Sequence, residues 1–401
     1  MQEILNFPIK KKICILSLGA ESVGRFCFYD NGKIYISENF GDILDVKNLA
    51  NFNKAILKQI ETKKPNIILT DFHPFYNSTV FGSELSKKLK IPHIQVQHHI
   101  AHIFSTVGDN IIRIKNQESR IKNLSLVIPK EFYGIASDGT GFGFDRNIWG
   151  GEVFQVKNEK RKTKSTSLVI NRISSLEEQT MIGGDLAVKE PARMLISILS
   201  KFLPKEKVYE NVKKFYTENE FELLYNQLQQ NFNCQKTTST GRILDAVSVL
   251  LGFADNKRDF KHEATKLLEE NSTLPYKDYE LRIKNYKSRK IINTTYLFEY
   301  LLKNIHKDKK RLAATAQECI ARGFYEIIRR CAKETRFPIG NRVSDIPDSR
   351  FQIPDSFLAG GMANNKIISS YLENKDVYTS KKIPRGDEGI AFGQIVFYIL
   401  N

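Results

Sequence analysis

Cysteine is sparse in this 401-residue chain. Cys14, Cys27, Cys234, Cys319 and Cys331 are odd in number, widely scattered and never arranged as CxxC, so neither a disulfide framework nor a thiolate zinc site is expected. Long hydrophobic runs are missing as well: none approaches the roughly 20 apolar residues that a membrane-crossing helix needs. The N-terminus MQEILNFPIKKKICILSLG has neither the charge order nor the small-residue cleavage site of a signal peptide, which makes a cytoplasmic protein with no membrane partner the expectation. No Pro/Ser linker or low-complexity tail divides the chain, and 41% apolar residues can fill the core of one large two-lobed domain or of two ordinary ones.

Acidic residues are the minority charge, 45 against 61 basic ones, for a formal net charge of +16. Such an excess can attract a nucleic acid or an acidic partner. Yet the lysines crowd polar runs such as KNEKRKTKS (157–165) and KNIHKDKKR (303–311), with no interleaved aromatics on which bases could stack. Solvated loops and helix ends account for them.

The stretch KKICILSLGAESVGRFCFYDNGKIYISENFGD alternates β-rich runs with turn signals, and Asn31-Gly32 predicts a hairpin. A helix is expected from about Val46 to Thr62, a buried strand in PNIILTDF (65–72), a helix with Phe81, Leu85 and Leu89 on one face, and a strand in PHIQVQ. Helices alternating with strands after a hairpin imply a mixed sheet with helical cover. EFYGIASDGTGFGFDRNIWGGEVFQVK (131–157) repeats the strand, Gly-turn, strand layout, which predicts duplicated lobes over 1–128 and 129–401, with the polar stretch 109–130 an inserted loop or short helix at their boundary. Helical spacing dominates from Ala187 to about Cys331, so the second lobe is expected to carry a helical insertion over about 187–335. The chain closes with a strand in DSFLAGG, a helix from about Ala363, a short strand in DVYTS and the apolar helix EGIAFGQIVFYIL.

Histidine is scarce too, and three of the seven lie in QVQHHIAHIFS: His98, His99 and His102. If a helix begins just after Gln97, His98 and His102 project from one face, the spacing of a two-histidine metal site, while His99 points elsewhere. An isolated HxxxH is also common on surfaces and in cores. Asp138 in SDGTGFG and Asp387 in PRGDEGIAFG are the best acidic candidates to complete a site, although spacing alone does not single them out. A histidine/carboxylate set with open positions suits Fe(II), Zn(II) or Mn(II). SDGTGFG (137–143) can bring backbone amides to a polyphosphate or be only a hairpin, and LAGGMANNK (358–366) has the strand, Gly-Gly, helix layout that presents amides to an anion or ribose. In TSTGRILDAVSVLLG, Asp245 lies off the apolar stripe, as a ribose acceptor or as a plain surface aspartate.

Taken in order, LSLGAE (16–21), ENFGD (38–42), DFHPFYNST (71–79), VQHHIAH (96–102), DGTGFG (138–143), IWGGEVF (148–154), GGDLAVKEPARM (183–194), TSTGRILDAV (238–247), LAGGMANN (358–365) and GDEGIAFGQ (386–394) resemble the carbamoyltransferase domain of the HypF hydrogenase-maturation proteins, a relative of the TsaD tRNA threonylcarbamoyl transferases. TsaD relatives carry Glu-Gly between the two histidines, where this chain has His99-Ile100-Ala101. The resemblance implies the two-lobed α/β fold of actin, Hsp70 and the sugar kinases. It implies an iron or zinc ion on His98, His102, Asp138 and Asp387, with Gly139, Thr140 and Gly141 against phosphate, Gly241 and Asp245 against ribose, and Gly360, Gly361 and Asn365 against the nucleoside. The implied reaction moves a carbamoyl group from carbamoyl-adenylate, the product of ATP, to the C-terminal cysteine of a HypE-like partner. A tRNA-modifying enzyme and a non-catalytic nucleotide-binding scaffold are the alternatives.

Two departures stand out. The acylphosphatase-like, zinc-finger and YrdC-like regions of full-length HypF are not in this sequence, so the expectation is a single-domain relative, a fragment, or half of a split system whose adenylate is made by a separate YrdC-like protein. FKHEATKLLEE (260–270) stands where the family has a Glu-Gly-Gln-Ala segment, which places Lys261 and His262 at positions of smaller residues.

Overall fold

The computed structural model describes residues 3–117, 129–160, 166–336 and 355–401. Residues 118–128 and 161–165, which hold part of the expected lobe boundary and of the first lysine run, lie outside that description.

The first sheet contains Glu3–Asn6 (β1), Cys14–Ser17 (β2), Cys27–Asp30 (β3), Lys33–Ile36 (β4), Ile67–Asp71 (β5) and His93–Val96 (β6), in the order β1-β4-β3-β2-β5-β6. Asn31 and Gly32 both take positive φ, 44° and 89°, and so make the two-residue turn that joins β3 to β4. Every residue of β5 is buried, as a central parallel strand covered on both faces requires. Val46–Ile60 (α1), capped by the Asp45 side chain, and Asn77–Leu89 (α2) make the crossovers, and His98–Gln117 (α3) follows β6. The polar stretch from Asp109 to Gln117 thus continues a helix.

The second sheet contains Glu131–Phe142 (β7), Ile148–Lys160 (β8), Thr166–Leu176 (β9), Gln179–Ile182 (β10), Cys234–Thr237 (β11), Ile283–Tyr286 (β12), Arg289–Ile292 (β13), Ser356–Ala359 (β14) and Tyr378–Thr379 (β15). Between β10 and β14 run Leu186–Lys189 (α4), Ala192–Leu199 (α5), Lys205–Val212 (α6), Glu218–Gln229 (α7), Thr240–Leu251 (α8), Glu263–Glu270 (α9), Thr294–Lys303 (α10) and Lys309–Arg336 (α11). Lys366–Glu373 (α12) follows β14, and Ile390–Leu400 (α13) ends the chain.

The two sheets share one plan. β4-β3-β2 and β9-β8-β7 are antiparallel meanders, and each continues into two parallel strands, β5-β6 and β14-β15. The insertion is not purely helical: β11 pairs with β8, and the β12-β13 hairpin extends the sheet beyond β9. Their sequences, CQKT, IKNY and RKII, are too short and polar to announce buried strands.

α3 and α13 pack on each other between the sheets, in a core that joins Ile15 and Leu69 of the first sheet to Phe132 and Phe154 of the second. α13 comes last in sequence, yet it rests on α3, β2, β3 and β5. Its Phe392, Ile395, Val396 and Ile399 are buried, each contributing roughly 1.5–3 kcal/mol. The two helices approach closely at Gly393, where an added Cβ would lie 1.9 Å from the Ala101 carbonyl oxygen. Backbone cannot yield as a side chain can, so Gly393→Ala is expected to lower stability by about 2–3 kcal/mol, read as a shifted urea midpoint. An unchanged midpoint would contradict this packing. Among the described residues no helix is long and apolar enough to cross a membrane.

Candidate metal centre

Gln97 opens α3: its side-chain oxygen accepts from the Ile100 amide at 3.0 Å, and its amide group donates to His99 Nδ1 and to the Phe142 carbonyl. The helix therefore starts at His98, and the four-residue step to His102 puts both rings on one face, their centroids 4.7 Å apart. Asp138 comes from a bulge in the β7-β8 ladder, whose register jumps from Ser137↔Gly151 to Gly141↔Trp149. Gly150 permits it, because a Cβ there would meet the Asp138 carbonyl oxygen at 2.6 Å and its φ is +155°. Asp387 begins the single turn that leads into α13.

These four residues, drawn from three distant parts of the sequence, converge. His98 Nε2 lies 3.4 Å from Asp138 Oδ2 and 3.7 Å from Asp387 Oδ1, and His102 Nε2 lies 3.6 and 3.5 Å from the same atoms. One ligand atom from each falls within 4.8 Å of the others. A tetrahedron with bonds of about 2.1 Å has edges of about 3.4 Å, so the set has the size of a first coordination shell. Both Nε2 atoms and Asp138 Oδ2 are buried with no hydrogen-bond partner, a costly arrangement unless a cation meets them. Two carboxylates and two neutral imidazoles also balance a divalent charge. On these grounds the residues fit a metal ion of the Fe(II), Zn(II) or Mn(II) kind.

The electrostatics describe the same demand for positive charge. Burial disfavours protonation of His98, but Asp71, Asp138 and Asp387 outweigh it and hold its pKa well above the usual histidine value. His102 is likewise pushed up against burial by Asp138 and Asp387. Burial would raise both carboxyls, yet the two histidines hold Asp138 well below the ordinary range and lower Asp387 as well. His99 differs: burial, then His98, push its pKa well down, and it stays a neutral ring bonded to Gln97.

Supporting contacts complete the set. Asp71, the last residue of β5, accepts from His98 Nδ1 at 2.7 Å, which fixes the tautomer and leaves Nε2 free to ligate. The Gly361 amide donates to Asp138 Oδ1 at 3.0 Å, and the Ser22 hydroxyl donates to Asp387 Oδ2. Asp71 opens the matching stretch DFHPFYNST, which assigns it no role, and Ser22 carries no sequence signal that marks it. Asp71→Asn would let the new amide donate to Nδ1 and favour the tautomer whose Nε2 bears the proton. Metal affinity is expected to fall by about ten- to hundredfold, measured by competition with a chelator, and wild-type affinity would contradict the pairing.

The centre opens on its Asp387 side, with that side chain 21% exposed against 1–2% for the histidines, into a cleft of about 450 Å³. Gly139, Thr140, Gly361 and Asn365 line this cleft, as do Lys261, His262, Lys266 and Arg385. The other expected site residues lie behind the cleft surface. Gly141 backs the rings of His98 and His99, Gly241 abuts Gly139, and Gly360 abuts the Ser137 carbonyl. Asn365 caps α12 and donates to Gln317, so its side chain is largely committed. Asp245 is fully buried between Arg242 and Arg258, at 2.7 and 3.0 Å, and is not a surface aspartate.

Two sheets that share the order of five central strands, with a buried His/Asp cluster beside a cleft, define a two-lobed α/β protein. Comparison with known families narrows this. Residues 10–109 match the HypF Kae1-like domain, and residues 134–394 match the carbamoyltransferase Kae1-like domain, second subdomain. The chain belongs to the carbamoyltransferase HypF family, in its Kae1-like domain. A probable carbamoyltransferase HypF from Methanocaldococcus jannaschii is 36% identical over 404 residues, covering 96% of this chain and 46% of that protein. Carbamoyltransferase HypF from Rhodobacter capsulatus is 22% identical over 388 residues, covering 95% and 46%. The crystal structure of T. kodakarensis HypF superposes with a TM-score of 0.78 at 27% identity, covering 99% of this chain and 48% of that one. Full-length HypF in its phosphate- and nucleotide-bound form gives 0.80 at 24% identity, covering 99% and 47%. The chain thus spans about half the length of these relatives.

Proposed function

We propose that this domain is a metal-dependent carbamoyltransferase that moves the carbamoyl group of carbamoyl-adenylate to the C-terminal cysteine thiol of a HypE-like partner in hydrogenase maturation. Relatives named carbamoyltransferase HypF support the reaction class. The observation that carries the reading is that the four-ligand cluster opens directly into a cleft whose walls bear Lys261, Lys266 and Arg385.

In the transfer the thiolate sulfur attacks the carbamoyl carbon, a C–S bond forms, and the bond from that carbon to the phosphate oxygen breaks, releasing AMP with the electron pair. The thiol proton passes to solvent. His98, His102, Asp138 and Asp387 would hold a divalent cation, which would supply Lewis-acid stabilisation of the negative charge that develops on oxygen. The chain's own groups position the donor. Lys261 and Lys266 offer charge to the phosphate, while Arg385 is tied to the Ser380 and Ala363 carbonyls and paired with Glu373 at the cleft wall. Gly139 leaves the bulge free of a side chain beside Asp138, so a phosphoanhydride can approach the backbone there. No internal Ser or Cys nucleophile is required.

The test is a transfer assay with carbamoyl-adenylate and a HypE-like acceptor, read by mass spectrometry. The expected result is a carbamoyl adduct on the terminal cysteine that disappears on chelation. An adduct on tRNA alone, or none with any acceptor, would overturn the reading.

A further inference from the structure

Asp109 lies on α3 eleven residues after His98 and seven after His102. At 3.6 residues per turn the three side chains fall within about 40° of one stripe, along about 16 Å of helix. Ser105 lies on the same stripe. What faces this stripe is the segment that carries Asp387. Asp109 is 3% exposed and accepts four hydrogen bonds: from the amides of Lys381, Lys382 and Ile383 at 2.9, 3.0 and 2.8 Å, and from the Tyr378 hydroxyl at 2.7 Å. Farther along, Gly389 closes on Ser105, whose hydroxyl would lie 2.6 Å from a Cβ added at that glycine. Asp387 then faces His102 and His98. Residues 381–387 therefore run back along the helix from Asp109 to the two histidines, and Gly389 turns back to Ser105.

We propose that Asp109 is a positioning residue for the metal centre: it pins the 381–383 backbone to the helix that carries His98 and His102, and so sets the reach of Asp387 to their ring nitrogens. The inference rests on the metal-centre reading above. Both carboxylate oxygens are used, each by two donors, so the loop is fixed in direction as well as in distance. Only three residues separate Ile383 from Asp387, and Pro384, the first of them, stiffens the path. An asparagine of the same shape cannot replace the carboxylate, because its NH2 group would face backbone N–H donors.

The test titrates wild type, Asp109→Asn and Tyr378→Phe with Co²⁺, following affinity by calorimetry, the visible Co²⁺ spectrum, and amide exchange of residues 381–389. For Asp109→Asn the expected results are affinity lower by about ten- to hundredfold, an altered Co²⁺ spectrum and faster exchange at 381–383. Wild-type affinity and spectrum in that variant would overturn the inference while leaving the metal centre intact. If Asp109→Asn does not fold, Tyr378→Phe decides, since it removes one donor of four: a severalfold loss supports the tether, and an unchanged affinity overturns it. A wild-type protein that binds no Co²⁺ would overturn the metal-centre reading and this inference with it.

Discussion

Replacing His98 and His102 together by alanine is expected to reduce bound divalent metal from one ion per chain to background. The two Nε2 atoms are half of the ligand set, and the remaining carboxylates lie on separate elements, Asp138 on a β7 bulge and Asp387 ahead of α13. A supporting residue such as Asp71 costs about ten- to hundredfold, so losing two ligands must exceed that range. Each single substitution should fall between. The histidines are almost wholly buried, so stability must be measured beside metal content by elemental analysis. A folded double variant that retains one ion per chain would show that the cluster is not the metal site. His99→Ala is the internal contrast: its ring bonds to Gln97 and takes no part in the cluster, so metal should be retained even where stability falls.

Asp245→Ala is expected to remove about 3–5 kcal/mol of stability, a large share of the 5–15 kcal/mol typical of a domain. The aspartate side chain is fully buried, and it bridges two guanidinium groups that are only 4% and 9% exposed. Alanine would leave Arg242 and Arg258 facing each other without a counter-charge, in a site that water barely reaches. The effect should extend to the cleft. The same helix, α8, carries Gly241, whose added Cβ would lie 2.9 Å from Gly139 Cα, so α8 forms the floor beneath the bulge of Asp138. Denaturant unfolding measures the loss. A change below about 1 kcal/mol, the scale of exposed ion pairs, would show that the triad is solvated and not structural.

How far the site could be read from sequence differs residue by residue. His98 and His102 are legible because helix periodicity acts over four residues, and the strand before them marks where the helix begins. Asp138 and Asp387 became candidates by lying at strand or helix ends, and were assigned by the order of the matching segments. Spacing holds no information about residues that meet only when two lobes close on a bulge and a single helical turn. Asp71 looks like the polar end of a buried strand, and nothing local says that its carboxylate faces an imidazole. Asp109 was hidden because DNIIRIKNQ is polar enough to suggest an inserted loop or a separate short helix, whereas its Ile111 and Ile112 continue the buried face of α3. Asp245 shows the opposite error, since a carboxylate off an apolar stripe suggests solvent, and two arginines brought against it make burial possible.

The fold follows a similar division. The Asn31-Gly32 hairpin, the buried β5 and the repeated strand, turn, strand unit could be read directly, because local turn chemistry and apolar runs specify them. The strands β11, β12 and β13 could not. They gain their pairing from β8, β9 and β10, which were formed by chain far away in sequence.

X-ray absorption of the metal-loaded protein reads the ligand set itself. The expected shell is two imidazole nitrogens and carboxylate oxygens at about 2.0–2.2 Å, with no sulfur, since all five cysteines lie outside the cluster. A shell containing sulfur, or one of oxygens alone with no imidazole signature, would contradict it.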